Sequence, residues 1–288
     1  MMIGVILALL SGLALGGISS FAALSYQYGA DPFSLIALRG VIAAVMMAGI
    51  TLATGHPLIT GRSSLGHILT IGLALMMIGF GLMGAVAFIS PGLAVAILYL
   101  YPIIVLVADS LRTRNLPSGI TIAGFGIALI GIITCLGATA DWTNLNPMGV
   151  GLALMAAFGM AFFLMASAAS SRAGHGSGVL VWANITVMII AGMAIATLPS
   201  IDLSLPFGMI GWFAFFAAAA LYAMGVMFSI LALRHITAPT VALLLNIEPL
   251  TTLMAAHLLV DEVLSPLQYS GMILAVFGII IGSRSIKA

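Results

Sequence analysis

Ten stretches of mostly apolar residues follow one another along the chain, at about 2–26, 33–54, 65–89, 92–110, 117–138, 147–169, 178–198, 206–232, 237–258 and 265–284, with almost nothing between them. A helix that crosses a bilayer needs about 20 such residues. In hydrocarbon every backbone polar group must be satisfied internally. The expected fold class is therefore an all-α polytopic membrane protein with ten transmembrane helices. Only 5% of residues are charged, against roughly a quarter in soluble globular chains. The longest connection, about 55–64, is too short for a soluble domain, which leaves any function inside the helix bundle. The first apolar run is long and has no Lys or Arg before it, so it is expected to stay in the mature protein. Cys135, the single cysteine, lies within an apolar stretch and reads as packing.

The chain is also written twice. Ser90-Pro91-Gly92-Leu93-Ala94-Val95-Ala96-Ile97-Leu98-Tyr99-Leu100-Tyr101-Pro102 returns as Thr237-Ala238-Pro239-Thr240-Val241-Ala242-Leu243-Leu244-Leu245-Asn246-Ile247-Glu248-Pro249. In the register that places Pro102 on Pro249, Ser118 falls on Ser265, Gly124 on Gly271 and Gly131 on Gly278. Gly4-Val5-Ile6-Leu7-Ala8-Leu9 likewise resembles Gly149-Val150-Gly151-Leu152-Ala153-Leu154. Two five-helix repeats are expected, 1–140 and 147–288.

Loop charges orient them. Numbering from an inside N-terminus, the inner loops and tail carry Arg62, Arg112, Arg114, Arg172, Arg234, Arg284 and Lys287, while the outer loops carry Asp31, Asp141, Asp202, Asp261 and Glu262. Short loops are where the positive-inside rule is reliable, so both termini are expected to be cytoplasmic. Five is an odd number of spans, so the second repeat must enter from the opposite side. Such an inverted repeat supports alternating access around a site near the midplane.

Glu248 sits about eleven residues into the ninth span. A carboxylate at that depth is costly unless protonated, paired or hydrated, which makes Glu248 the leading candidate for coupling. Its alternative reading is a capping glutamate beside Pro249 that ties helices together. Tyr101 occupies the equivalent place in the first repeat, and Tyr99 points to a different face. Their rings suit the wall of a substrate cavity, or equally a packing role with a backbone carbonyl as partner. Pro102 and Pro249 each remove a mid-span hydrogen bond and mark helix bends. Thr251 and Thr252 share a face with Glu248 at helical spacing and join the cavity set, whereas Asn246 looks elsewhere. Trp182, with Asn184, Trp212 and Tyr222, either lines the path or sits at helix interfaces. Arg39 is the basic residue well inside a span; it reads as a gate or as an inter-helix tie paired with Asp31. Asp109 reads as an interfacial partner of Arg112 and Arg114, and Trp142 as an interface anchor. Gly12-xxx-Gly16 and Gly278-xxx-Gly282 are helix-packing motifs.

No zinc-spaced Cys/His cluster, phosphate loop or Gly-x-Ser-x-Gly elbow is present. No enzyme activity, cofactor, metal or nucleic-acid partner is therefore expected. Uphill transport without an ATP motif requires an ion gradient or exchange.

The run Ala232 to Leu250 with its Glu248-Pro249, followed by Asp261-Glu262 and Gly271, resembles the drug/metabolite transporter superfamily in its EamA branch of ten-helix exporters. Leu38-Arg39 and Leu98-Tyr99-Leu100-Tyr101-Pro102 also look like positions of that family. The chain departs from it in lacking a first-helix tryptophan across Ala14–Ser20, and in carrying Arg112-Thr113-Arg114-Asn115 where an acidic Gly-Glu pair is usual. The resemblance implies a central cavity for small metabolites such as amino acids, bordered by Tyr99, Tyr101 and Glu248. The expected function is a secondary transporter of the inner membrane, exporting amino acids or similar amphipathic compounds by alternating access, coupled to protons or to exchange. The alternative is a passive channel or a structural membrane partner. The expected partners are a small-molecule substrate and the lipid bilayer, and the glycine-rich faces permit a homodimer.

Overall fold

The structure is a computed structural model, and it describes residues 1–53, 55, 57–58, 61–137, 145–196, 204–260 and 263–284. Asp141, Trp142, Asp202, Asp261, Glu262 and Lys287 lie outside the described residues. The helices are α1 (Met2–Gln27), α2 (Pro32–Ala53), α3 (Leu65–Val86), α4 (Pro91–Leu98), α5 (Tyr101–Thr113) and α6 (Gly119–Gly137), then α7 (Pro147–Arg172), α8 (Gly178–Ala196), α9 (Gly208–Ala232), α10 (Ala238–Leu244), α11 (Glu248–Val260) and α12 (Pro266–Arg284). Short 3-10 turns at Arg62–Ser64 and Leu245–Ile247 precede α3 and α11. No strand occurs among the described residues.

Eight segments among the described residues are long and apolar enough to cross a membrane, and two of these, Pro91–Thr113 and Ala238–Leu259, are interrupted helices. Shorter apolar helical stretches lie at Leu38–Ala53 and Gly178–Ile190, within α2 and α8. The chain is thus a multi-pass, all-helical membrane protein.

Helix starts follow from local chemistry. Ser90 caps α4 by accepting from the Leu93 N–H, with Pro91 at the first helical position. Asn146 caps α7 through the Met148 N–H at 2.9 Å. Ser265 and Gln268 form a reciprocal capping box before α12, the Ser265 N–H donating to Gln268 Oε1 at 2.8 Å and the Gln268 N–H to Ser265 Oγ at 3.2 Å. Ser118, its counterpart in the repeat, accepts from the Thr121 N–H at the start of α6.

The most extensive helix pairs are α6–α12, α1–α9 and α3–α7, and each joins an element before residue 140 to one after 147. Lipid offers no hydrophobic drive to bring helices together, so small residues that admit a neighbouring backbone decide where they meet. Gly81 faces the Leu152 carbonyl and Ala156, Gly159 faces Met77 and Ile78, and Gly225 faces Leu15. The Ser11 hydroxyl donates to the Gly225 carbonyl at 2.6 Å, tying α1 to α9.

The α6–α12 seam is self-complementary. A Cβ at Gly124 would fall on Gly282 and near the Gly278 carbonyl; shifted by the repeat, these become Gly271 on Cys135 and on the Gly131 carbonyl, which are also observed. A Cβ at Gly131 would fall on Ala275, and its image, Gly278 on Ala128, recurs as well. The two helices run antiparallel and present the same patch to each other, the property of an isologous contact.

Candidate functional site

The site is built where two spans break at matched positions. Pro102 has no N–H and cannot donate the helical bond owed to the Leu98 carbonyl. The helix stops at Leu98, the Tyr99 and Leu100 N–H groups close it by donating to the Val95 and Ile97 carbonyls, and α5 restarts at Tyr101. Pro249 deprives Leu245 in the same way, and there the Glu248 N–H takes up the Leu245 carbonyl across a single 3-10 turn. The prolines therefore stand in the first turn of new helices, and the breaks precede them.

Glu248 opens α11, so its carboxylate lies at the positive end of a half-helix dipole. The Tyr99 side chain lies beside that carboxylate and interacts with it electrostatically. Tyr99 and Tyr101 lie with ring centroids 5.9 Å apart, and the Tyr101 hydroxyl donates to the Ala242 carbonyl of α10 at 3.5 Å. Both tyrosines thus reach across to the opposite half, one to a side chain and the other to backbone. They are 4% and 1% exposed, so the centre of the molecule is closed around them.

Helix α1 makes the junction possible. Gly12 faces Ile247, and Gly16 faces the Glu248 carbonyl and the Thr251 side chain, so the break packs directly on a helix without side chains at those points. The sequence marked this pair as a packing motif but gave no sign of what packs there. Thr251 donates to the Ile247 carbonyl at 3.0 Å and Thr252 to the Glu248 carbonyl at 3.1 Å. Both hydroxyls are turned back on their own helix and keep lone pairs, not protons, for other partners.

Trp182 stands apart from this group. Its indole N–H donates to the Leu58 carbonyl in the α2–α3 connection at 2.9 Å, and its ring is 43% exposed. Arg39 lies over the ring of Tyr222, 4.5 Å from the centroid. The Tyr222 hydroxyl donates to Asn184 Oδ1 at 3.3 Å, and Asn184 Nδ2 donates to the Gly40 carbonyl at 3.2 Å. This network ties α2, α8 and α9 together through a cation–π contact. Asp31, the expected ion partner of Arg39, accepts from the Ser34 N–H at 3.0 Å and the Ser204 N–H at 2.6 Å. Asp109 pairs with Arg112 at 2.9 Å. Trp212 packs against Phe215 and Phe216 as an aromatic patch on α9.

Three cavities lie elsewhere. One of about 10 Å³, large enough for a water, is lined by Ser167, Ser170, Ser177, His175 and Arg234. A second of about 610 Å³ opens between α5 and α6 beside Arg114. A third of about 490 Å³ lies between α3 and α7. His175, from the first cavity, lies against His67, which lines the third, with ring centroids 4.8 Å apart.

Broken spans meeting inside a bundle, with a carboxylate at one half-helix start, define a polytopic protein of the transporter class. A family profile described as the EamA-like transporter family matches residues 2–137 and again 147–284, and the chain belongs to that family, within the drug/metabolite transporter superfamily. Among 29 matching solved chains, one described as "Crystal structure of protein" superposes with a TM-score of 0.79 at 19% identity, covering 97% of this chain and 98% of that one. At that identity the likeness is one of fold. No curated protein sequence matches the chain.

Proposed function

We propose that the protein is a secondary transporter of the cell inner membrane that exports amino acids or similar amphipathic metabolites by alternating access, coupled to protons or to exchange. The observation that carries this reading is the pair of matched helix breaks, joined across the halves by the Tyr101 hydroxyl on the Ala242 carbonyl and by the Tyr99–Glu248 interaction.

In this reading ten spans form two inverted repeats, 1–140 and 147–288, with both termini cytoplasmic. The self-complementary α6–α12 seam supports the inverted relation, and the arginine-bearing loops support the orientation. Glu248 is the coupling group. As a carboxylate it accepts from Tyr99; as a carboxylic acid it becomes a donor itself, so gain or loss of a proton rewires the contact between the halves. A substrate ammonium group competes with Tyr99 for the same carboxylate, and the rings of Tyr99 and Tyr101 face its apolar part. Thr251 and Thr252 border the site, and Pro102 and Pro249 fix the breaks. The closed centre supports a carrier with an occluded state over an open pore. Arg39 holds α2, α8 and α9 in register, and Trp182 lies towards the entrance of α8.

The test is counterflow. Proteoliposomes loaded with an unlabelled amino-acid mixture should accumulate labelled substrate transiently and saturably. Flux that rises linearly with concentration, with no stimulation from the opposite side, would establish a channel instead.

A further inference from the structure

The cavity of about 490 Å³ between α3 and α7 belongs to neither the helix breaks nor the Arg39 network. We propose that it is a binding groove for an anionic phospholipid, with the phosphodiester at the arginine-bearing membrane face and one acyl chain lying along α7.

Two facing stripes form the groove. On the α3 side Ser63, Gly66, His67 and Thr70 follow one another at helical spacing, and on α7 the sequence Phe162, Met165, Ala166, Ala169 does the same. Arg172 ends α7 and Arg112 lies in the last turn of the neighbouring α5, and both line the same mouth. Ten residues of helix separate Arg172 from Phe162, about 15 Å at 1.5 Å per residue. The groove is therefore cationic at the membrane surface and apolar at acyl-chain depth, the same polarity gradient as a phospholipid.

The mouth also holds unused donors. Arg112 gives one guanidinium nitrogen to Asp109 at 2.9 Å and retains other N–H groups of its fork. Ser64, at the start of α3, makes no side-chain cap and donates its hydroxyl to the Gly61 carbonyl instead. His67 Nδ1 is buried without a hydrogen-bond partner. Basic pockets between membrane helices at this level suit anionic head groups. A free inorganic phosphate shares the head-group chemistry but makes no use of the wall of Phe162, Met165 and the alanines.

The experiment is native mass spectrometry of the full chain in detergent with an equimolar mixture of phosphatidylglycerol and phosphatidylcholine carrying the same acyl chains. Because Arg112 already has an acidic partner, the expected preference for phosphatidylglycerol is about tenfold, below the roughly thirtyfold of two free interfacial cations. The paired change Arg112→Gln with Arg172→Gln should bring the two lipids to parity, and excess inorganic phosphate should leave the wild-type preference in place. Ala169→Phe, which fills the groove and keeps both arginines, should also remove the preference. Parity in the wild type, a preference that survives either variant, or displacement of the lipid by inorganic phosphate would each overturn the proposal.

Discussion

Along the α6–α12 seam every close approach has its image in the other repeat, whereas at the two helix breaks only the backbone event recurs. Gly124 on Gly282 is matched by Gly271 on Cys135, and Gly131 on Ala275 by Gly278 on Ala128. At the breaks, Pro102 and Pro249 interrupt their spans alike, but Tyr101 stands where the other half has Glu248. Duplicated packing stays symmetric because each helix constrains the other through the same patch. The breaks face one another with different side chains, and that asymmetry puts a hydroxyl donor opposite a carboxylate acceptor.

The seam should give the largest effects when it is disturbed. Gly131→Val and Gly278→Val each drive side-chain atoms into a backbone, a cost of about 3 kcal/mol or more. The folded fraction by size-exclusion chromatography should fall for both to a similar degree, and a large inequality would break the symmetry of the seam. Next comes Gly16→Ala, whose Cβ would meet the Glu248 carbonyl and lie 2.6 Å from Thr251 Cβ. A loss of about 1–3 kcal/mol is expected there, read as a lowered melting temperature together with slowed counterflow; slowed counterflow at unchanged stability would separate α1 packing from folding. Tyr99→Phe removes the hydroxyl that interacts with the Glu248 carboxylate, a change of about 1–2 kcal/mol, and should lower the transport rate by about tenfold. The smallest effect belongs to Tyr101→Phe, whose long bond to the Ala242 carbonyl is worth about 0.5–1 kcal/mol. If Tyr101→Phe proves the more damaging of the two, the contact between the halves runs through backbone and not through Glu248.

Much of this architecture could be read from the chain. Apolar runs and the repeat located the helices, and the paired prolines located the interruptions to within a few residues. The interruptions themselves fall before the prolines, since the missing N–H acts on the carbonyl four residues back. With the helix ending there, Tyr99, expected on another face, lies beside Glu248, while Tyr101 takes the backbone carbonyl. A continuous helical wheel cannot show it. Partners from distant parts of the sequence were equally hidden: Tyr222 beneath Arg39, Leu58 for Trp182, and the first turn of α11 on Gly16. Spacing within one helix says which face a residue occupies, not which helix that face meets.

Whether Glu248 couples the two halves during transport is decided by comparing metabolites released by cells that make equal membrane amounts of the wild-type chain or Glu248→Gln, against an empty vector. A small set of amphipathic metabolites should be released in excess by the wild type, and Glu248→Gln should return to vector level. Equal release by the two chains would contradict that coupling and leave Glu248 as a structural cap of α11.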